Sequence, residues 1–326
     1  MASNSENQIS IVIPVYRGEI CLPVVVEEIS RLAGPQVTAS GHPFVISEVI
    51  LVHDCGPDKS DRTIEQLCAK HDFARAVWLS RNYGQHAATL AGMASASGRW
   101  VVTMDEDGQQ DPQFIAGMLD VALKKSLQLV YAKPTNAPPH GFIRNALSRL
   151  AKKMSAGLLG NRALGSFNSF RLIDGEIART LAAYCGSGVY LDVGLYWITG
   201  RIGQAPVRLR QELGRSSGYS FLKLLGHFWN LVLTTGTRPL RLITIIGLLS
   251  IVLATVFMGY ALYVKLEGRV QVAGWTSLLI VVSLFSGAIL TALGVIAEYL
   301  AVTMGIVMGK PLYVVSTKPT RSGVDE

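Results

Sequence analysis

Two long stretches with almost no charge constrain this sequence more than any other feature. They run from Leu240 to Val264 and from Trp275 to Ala297, and each exceeds the roughly 20 residues that a helix needs to cross the hydrocarbon core of a bilayer. Helices of soluble proteins rarely reach this length without a polar face, so two buried core helices are the weaker alternative. We therefore predict a two-span transmembrane hairpin over residues 240–308, followed by a cytoplasmic tail over residues 309–326.

Composition excludes several other classes of protein. Charged residues make up 16% of the chain, against about a quarter in soluble globular proteins. The 32 glycines follow no three-residue period, and the four cysteines lack the paired spacing of a metal site. These features exclude collagen, a disordered chain and a small disulfide scaffold, and they make an ordinary soluble enzyme a poor interpretation.

Basic residues flank the two apolar stretches unequally. Six lie between residues 208 and 241, three follow residue 309, and two occupy the loop between the stretches. The positive-inside rule then places both termini in the cytoplasm. The short run Ile9–Val15 contains Pro14 and is too short for a signal peptide. We expect an inner (cytoplasmic) membrane protein whose first 218 residues face the cytoplasm.

The first 218 residues alternate apolar runs with segments of helical spacing. The predicted strands cover Ile9–Val15, Phe44–Val52, Ala76–Leu79, Trp100–Met104 and Gln128–Ala132, and the predicted helices cover Ile20–Leu32, Asp58–His71 and Gln85–Ser97. Alternation of this kind predicts an α/β fold with a mainly parallel sheet and helices on both faces. Ligands of such sheets bind beyond the carboxyl ends of the strands.

Carboxylates follow the fourth predicted strand directly. Asp105 and Asp107 are one residue apart and can bracket a hard cation, and Gln109 can add an amide oxygen. Mg²⁺ or Mn²⁺ prefers oxygen ligands and is usually shared with substrate phosphates. An acidic tripeptide in a loop is more often a solvated turn, but its place straight after a buried strand favours the metal site.

Several motifs together resemble one known family. In chain order they are Ile11–Tyr16, Arg81–His86, Asp105–Pro112, Thr237–Arg241, Glu298–Leu300 and Lys310–Val314. The first three are similar to motifs of family 2 glycosyltransferases, whose catalytic domain has the GT-A fold. With the last three, the resemblance extends to the polyprenyl-phosphate glycosyltransferases of that family and covers nearly the whole chain.

The resemblance implies an inverting sugar transfer on the cytoplasmic face of the membrane. A hexose would pass from a nucleotide diphosphate sugar, which we expect to be a UDP-sugar, to polyprenyl (undecaprenyl) phosphate. The product would be a lipid-linked sugar for modification of cell-envelope glycans. Mg²⁺ or Mn²⁺ on Asp105, Asp107 and Gln109 would neutralise the donor diphosphate. The phosphate nucleophile is already anionic at neutral pH, so no strong protein base is required.

The resemblance also implies roles for residues on both sides of the acidic loop. Catalytic roles fall on Asp105, Asp107, Ser169 and Arg171. Binding of the donor, the metal or the acceptor falls on Pro14, Tyr16, Glu19, His53, Asp54, Arg81, Gly84, Gln85, Glu106, Arg144, Arg210 and Arg215.

Two of these positions depart from the family pattern and leave two interpretations open. His53 stands where the second strand usually ends in an acidic residue, and Ser169 stands where an Asp often precedes Phe-Arg-Leu. That Asp has been regarded as a catalytic base in relatives. The intact acidic loop favours an enzyme, whereas His53 and Ser169 favour a catalytically silent member that binds nucleotide sugar or lipid phosphate as a scaffold or regulator.

The remaining predictions concern the membrane and the partners. Residues 219–239 have the spacing of an interfacial amphipathic helix, so membrane lipid is an expected partner. Gly287 and Gly294 permit close helix packing, and we expect a homo-oligomer. The basic residues follow the membrane boundary and no nucleic-acid motif is present, so we expect no nucleic acid partner.

Overall fold

The computed structural model describes residues 7–136, 167–186, 190–210, 274–309 and 311–318, with eight single positions between 249 and 267. Arg144, Arg215, the interfacial helix predicted for residues 219–239 and most of the first apolar stretch lie outside the described residues. The predicted domain boundaries at residues 218 and 239 fall there as well, so they stay predictions.

The described residues form one sheet of nine strands. These are β1 (Asn7–Val15), β2 (Pro35–Val37), β3 (Pro43–His53), β4 (Ala74–Leu79), β5 (Trp100–Thr103), β6 (Leu129–Pro134), β7 (Arg171–Asp174), β8 (Ile202–Val207) and β9 (Val315–Ser316). Their order is β8-β6-β7-β5-β1-β3-β4-β9, with β2 beside β3. The four central strands β5, β1, β3 and β4 are parallel, which confirms the predicted mainly parallel sheet.

Helices cover both faces of this sheet. They are α1 (Leu22–Ser30), α2 (Ser60–Lys70), α3 (Gln85–Ser95), α4 (Phe114–Lys124), α5 (Gly175–Tyr184), α6 (Leu191–Ile198) and α7 (Trp275–Val307). Successive residues of β1 point to opposite faces. Ile11 and Ile13 join a core cluster with α1 and α4, whereas Val12 joins a second cluster with α3 and α5. Because both faces of β1 are buried, the strand is a nearly continuous apolar run.

Helix α3 packs unusually close to the sheet. A Cβ placed on Gly92 would lie 2.3 Å from Val12 Cγ1 and 2.9 Å from Val52 Cγ2, so a larger residue would push the helix away. The close approach fixes the height of α3 above β1 and β3. It thereby fixes the position of the helix N-terminus at Gln85 relative to the strand ends.

The chain reverses its direction of travel across the sheet between β4 and β5. It runs from β1 to β3 and β4 on one side, and then returns to place β5 on the other side of β1. Such a reversal opens a crevice at the carboxyl ends of the two strands that flank it. The segments that follow β1, β3 and β5 therefore meet at one edge of the sheet.

The segment after α7 returns to this sheet. Strand β9 pairs antiparallel with β4, where Trp78 faces Ser316 and Leu79 faces Val315. The Lys318 ammonium also lies 2.6 Å from a carboxylate oxygen of Glu65 in α2. The residues on either side of the apolar stretches thus belong to one sheet.

The membrane prediction has a different outcome from the fold prediction. Taken over the described residues alone, no helix combines the length and the hydropathy that crossing a membrane requires. The two spans therefore stay a prediction from the sequence.

Candidate functional site

Asp105 lies at the centre of the site, directly after β5. Its Oδ1 accepts a hydrogen bond from Gln85 Nε2 at 2.6 Å, and its Oδ2 accepts from Gln110 Nε2 at 2.8 Å and from the Ser169 hydroxyl. Burial and the neighbouring charge of Asp107 raise the pKa of Asp105 to about 6, against the opposing effects of Ser169, Arg171 and Gln110. Burial and a like charge thus make ionisation of this carboxyl unfavourable.

Asp107 belongs to the same loop as Asp105. Its Oδ1 accepts a hydrogen bond from the Gln109 N–H at 3.0 Å, and burial raises its pKa. The next residue, Gly108, has a φ of 73°, which a residue with a side chain rarely adopts. Asp107 is two residues from Asp105, and its negative charge helps to raise the pKa of Asp105.

The donor groups of this loop suit a hard divalent cation. Among the described residues, no three His, Cys, Asp or Glu side chains gather as a metal site. The predicted ligand set is smaller, with two carboxylates and the amide of Gln109. All three donors are oxygen atoms, which Mg²⁺ and Mn²⁺ prefer. The two carboxylates also repel each other in a partly dehydrated loop, and a cation would relieve that repulsion.

Glu106 points away from its two acidic neighbours and across to β1. Its carboxylate accepts hydrogen bonds from the N–H of Tyr16 at 3.1 Å and of Arg17 at 3.0 Å. A Cβ on Gly18 would come within 2.8 Å of the same carboxylate. Glu106 therefore joins the loop after β5 to the loop after β1, and it leaves Tyr16 with 41% of its surface exposed at the crevice.

Asp54 holds the loop that enters α3. Its Oδ1 accepts from the Tyr83 N–H at 2.7 Å and its Oδ2 from the Gly84 N–H at 2.9 Å, while its own N–H donates to Val15 O. Burial raises the pKa of Asp54, and these two hydrogen bonds oppose the rise. The Arg81 guanidinium lies over the Tyr83 ring, 4.3 Å from its centroid. Asp54 thus fixes Arg81, Gly84 and Gln85 beside the acidic loop.

His53 lies deeper than the other predicted binding residues. It is 3% exposed, and its ring centroid is 5.3 Å from that of Trp78. In the sheet it lies between Val15 of β1 and Trp78 of β4. Pro14 is also within the sheet, opposite Val52. Both residues support the edge of the crevice from below.

Glu19 connects the loops after β1 and β3. Its N–H donates to Asp58 Oδ2 at 3.1 Å, and its Oε2 accepts from the Lys59 N–H at 3.1 Å. The same two loops touch where a Cβ on Gly56 would lie 1.4 Å from Tyr16 O. Only glycine fits at position 56, and the reciprocal hydrogen bonds keep the Tyr16 side of the crevice in place.

Two of the three predicted arginines within the described residues are held by carboxylates, namely Arg171 and Arg210. Arg171 is buried, and its Nη2 lies 3.2 Å from Asp192 Oδ1, which also accepts from Tyr131 OH. Arg210 Nη1 donates to Glu28 Oε2 at 2.7 Å and its Nη2 lies 2.6 Å from Asp111 Oδ2.

Each arginine supports the site from one side. Arg171 lies below the acidic loop and lowers the pKa of Asp105. The Arg210 N–H donates to Gln109 O at 2.9 Å, so Arg210 fixes the backbone of a predicted metal ligand. In the structure both arginines act on residues of the acidic loop. Their predicted roles toward substrate stay predictions.

Gln110 is a site residue that the sequence analysis missed. It is 4% exposed and contacts Asp105 through both ends of its amide. In the sequence, Gln110 is simply a second glutamine after Gln109. Neither composition nor spacing indicates which of the two contacts Asp105.

Comparison with known proteins identifies the family. Residues 10–181 match the family described as Glycosyl transferase family 2. The chain belongs to this family. The match spans all three strand ends that form the crevice, and family membership groups the protein with enzymes that transfer sugars.

Several relatives match this chain over nearly their full length. The uncharacterised glycosyltransferase YkcC of Bacillus subtilis is 25% identical over 308 residues, which cover 94% of this chain and 93% of that protein. The undecaprenyl-phosphate 4-deoxy-4-formamido-L-arabinose transferase of Proteus mirabilis is 28% identical over 313 residues, covering 94% and 92%. The predicted resemblance to polyprenyl-phosphate glycosyltransferases is thereby confirmed.

Solved structures show the same fold. Glucosyl-3-phosphoglycerate synthase of Mycobacterium tuberculosis, in complex with phosphoglyceric acid, has a TM-score of 0.51 at 21% identity and covers 71% of this chain and 80% of that chain. The same enzyme with Mn²⁺, UDP-glucose and phosphoglyceric acid has a TM-score of 0.50 at 19% identity, covering 71% and 79%. The GT-A type α/β fold of family 2 is confirmed.

Proposed function

We propose that this protein transfers a hexose from a UDP-sugar to polyprenyl (undecaprenyl) phosphate, with inversion, at the cytoplasmic face of the inner membrane. One observation carries the proposal. The acidic loop places Asp105 and Asp107 together at the switch point of the sheet, beside the Arg81–Gln85 loop that Asp54 holds. This is the crevice where such sheets bind their ligands.

The donor diphosphate would lie in this crevice with a divalent metal. Asp105, Asp107 and Gln109 would hold Mg²⁺ or Mn²⁺, which would neutralise charge as the nucleotide leaves. The structural neighbour that binds Mn²⁺ and UDP-glucose supports both the metal and the donor. The residues of this chain supply the frame, because Glu106 and Asp54 fix the backbone on either side of the crevice.

The proposed acceptor rests on two observations. Relatives named as undecaprenyl-phosphate transferases match over nearly the whole chain. In addition, the Ser169 hydroxyl donates to Asp105 and accepts from Gln110, so both of its hydrogen-bonding roles are used. A nucleophile that needs no deprotonation suits such a site, and a lipid phosphate meets that condition.

The proposed membrane attachment rests on the sequence and on the exposed surface of α7. Residues 275–297 carry no charge. Several described side chains along α7 are apolar and more than half exposed, namely Leu278, Val282, Ile289, Leu290 and Leu293. An exposed apolar surface of this extent indicates contact with lipid or with another protein. Since β9 returns to β4, we propose two crossings, with both flanking segments cytoplasmic and Gly287 and Gly294 on a surface between protomers.

Sugar transfer with the full-length protein in detergent tests the proposal. Labelled UDP-sugars and GDP-sugars are offered with undecaprenyl phosphate, with and without Mn²⁺, and we expect metal-dependent label in the lipid phase from a UDP-sugar. The exposed loop variant Asp72→Asn is the matched control for Asp107→Asn, and only the latter should lose transfer. If a nucleotide binds but no donor is consumed, the silent scaffold becomes the better interpretation.

A further inference from the structure

The side chain of Gln110 forms hydrogen bonds with both the backbone and the side chain of Asp105. The Asp105 N–H donates to Gln110 Oε1 at 3.0 Å, and Gln110 Nε2 donates to Asp105 Oδ2 at 2.8 Å. The second hydrogen of Nε2 points to Ser169 Oγ at 2.8 Å. These contacts fix the orientation of the amide, because a flipped amide would place Nε2 against the N–H of Asp105.

These hydrogen bonds determine which oxygen of Asp105 is available to a ligand. A carboxylate oxygen accepts about two hydrogen bonds. Oδ2 receives two, from Gln110 and Ser169, whereas the contact from Gln85 goes to Oδ1. Oδ1 is therefore the oxygen with capacity left for a cation, and the carboxylate cannot turn without breaking bonds to Gln110.

We propose that Gln110 is a positioning residue for the metal site. Gln110 and Ser169 together donate hydrogen bonds to Oδ2 of Asp105, which leaves Oδ1 to bind the cation. This inference rests on the proposed metal-dependent transfer, and it assigns Ser169 to holding Asp105 instead of accepting a proton.

Gln110 and Ser169 are chemically suited to positioning a metal ligand. Gln110 and Ser169 are neutral donors, so they hold the carboxylate without placing a positive charge beside the cation. A lysine or arginine at either position would also bind Asp105, but it would repel the metal. Outer hydrogen-bond partners of metal ligands typically change metal affinity when they are mutated.

Mn²⁺ binding to the full-length protein in detergent, measured by electron paramagnetic resonance in the presence of UDP, tests the inference. Gln110→Met has a similar volume and removes all three hydrogen bonds, and we expect it to raise the Kd for Mn²⁺ about 10- to 100-fold. Ser169→Ala removes one of the two donors to Oδ2, and we expect a rise near the lower end, about tenfold. Gln113→Met lies on the exposed side of the same loop and should leave the Kd unchanged.

A second readout separates positioning from a general structural role. Saturating Mn²⁺ should restore most of the turnover of Gln110→Met, because the metal requirement rises more than kcat falls. An unchanged Kd in Gln110→Met would overturn the inference and leave the proposed function standing. If the wild-type protein binds no Mn²⁺, the proposed metal site itself is wrong. Should Gln110→Met fail to fold, an unchanged Kd in Ser169→Ala overturns the inference.

Discussion

Two partly buried carboxylates, Glu48 in β3 and Asp105 directly after β5, have opposite pKa shifts within the same sheet. Glu48 is bound by Ser97, which precedes β5, and Asp105 follows β5. Glu48 accepts from Ser10 Oγ at 2.6 Å, from the N–H and Oγ of Ser97 at 2.7 Å, and from Arg75 Nε at 2.7 Å. Both carboxylates are thus rich in hydrogen bonds.

Their pKa values nevertheless move in opposite directions. Burial alone would raise the pKa of Glu48, but hydrogen bonds from Ser10, Ser97 and Arg75 outweigh it and bring the value to about 2. Burial raises the pKa of Asp105 to about 6, with the charge of Asp107 as the next cause. The difference teaches that burial with a like charge nearby marks a carboxylate prepared to bind a cation, whereas several hydrogen bonds mark a structural one.

The largest expected effect comes from removing Asp107. We expect Asp107→Ala to lower sugar transfer by more than about 100-fold, because one of the two proposed metal carboxylates is lost. Folding and membrane insertion should be unaffected, since Asp107 makes its hydrogen bond within its own loop. Label transfer measures turnover, and size-exclusion chromatography checks that the protein is folded. Near-normal turnover would remove Asp107 from the metal site.

Breaking the structural side of the comparison should cost stability and leave the site intact. We expect Glu48→Gln to lower the free energy of unfolding by about 2–3 kcal/mol, because several donors lose an anionic partner. The folded pKa of Glu48 is below its ordinary value of 4.5. Its contribution is therefore complete above pH 4.5 and is lost as the pH falls through about 2. Denaturation at pH 7 and pH 3 tests this, and a constant difference would contradict it.

The raised pKa of Asp105 predicts pH-dependent metal binding. A protonated carboxyl is a poor ligand, so the affinity for Mn²⁺ should fall as the pH falls through about 6. Between pH 7 and pH 5 we expect a rise in Kd of about tenfold from this group. Titrations at several pH values in one buffer system measure it, and a flat profile over that range would show that Asp105 stays ionised.

The smallest expected effect is a gain in stability. The folded pKa of Asp105 lies above its ordinary value of 3.8. The ionised group therefore destabilises the protein above pH 6 when no metal is bound, and this penalty disappears as the pH falls toward 4. Asp105→Asn should remove that penalty and stabilise the metal-free protein by about 1 kcal/mol at pH 7, while transfer is lost. Thermal unfolding in EDTA checks the direction, and a lower Tm would contradict it.

The central part of the fold could be predicted from the sequence. The strands β1, β3, β4 and β5 are contiguous apolar runs separated by helical segments, so their order and parallel arrangement follow from local patterns. The strands β7 and β9 were missed because neither is an uninterrupted apolar run: β7 begins with Arg171 and ends with Asp174, and β9 has only two residues. Their place in the sheet depends on partners far along the chain.

The site follows the same division. Asp105 and Asp107 were predicted because they follow a buried strand directly. The partners of Glu106, Arg171 and Arg210 could not be predicted, since each is chosen by tertiary contact with residues 21 to 182 positions away. Sequence distance also hid the contact between Gln110 and Ser169, which are 59 positions apart.

The pairing of β4 with β9 has a consequence for how the protein is made. During synthesis, β4 leaves the ribosome early, whereas the residues that complete its edge come only after both apolar stretches have been translated. For that interval the nascent sheet has an open edge at Trp78 and Leu79, and an open edge is a template for wrong pairing. The edge of β4 can therefore be covered only in a chain that has been translated through both apolar stretches. Pairing of β9 is thus a late step in the biogenesis of the protein.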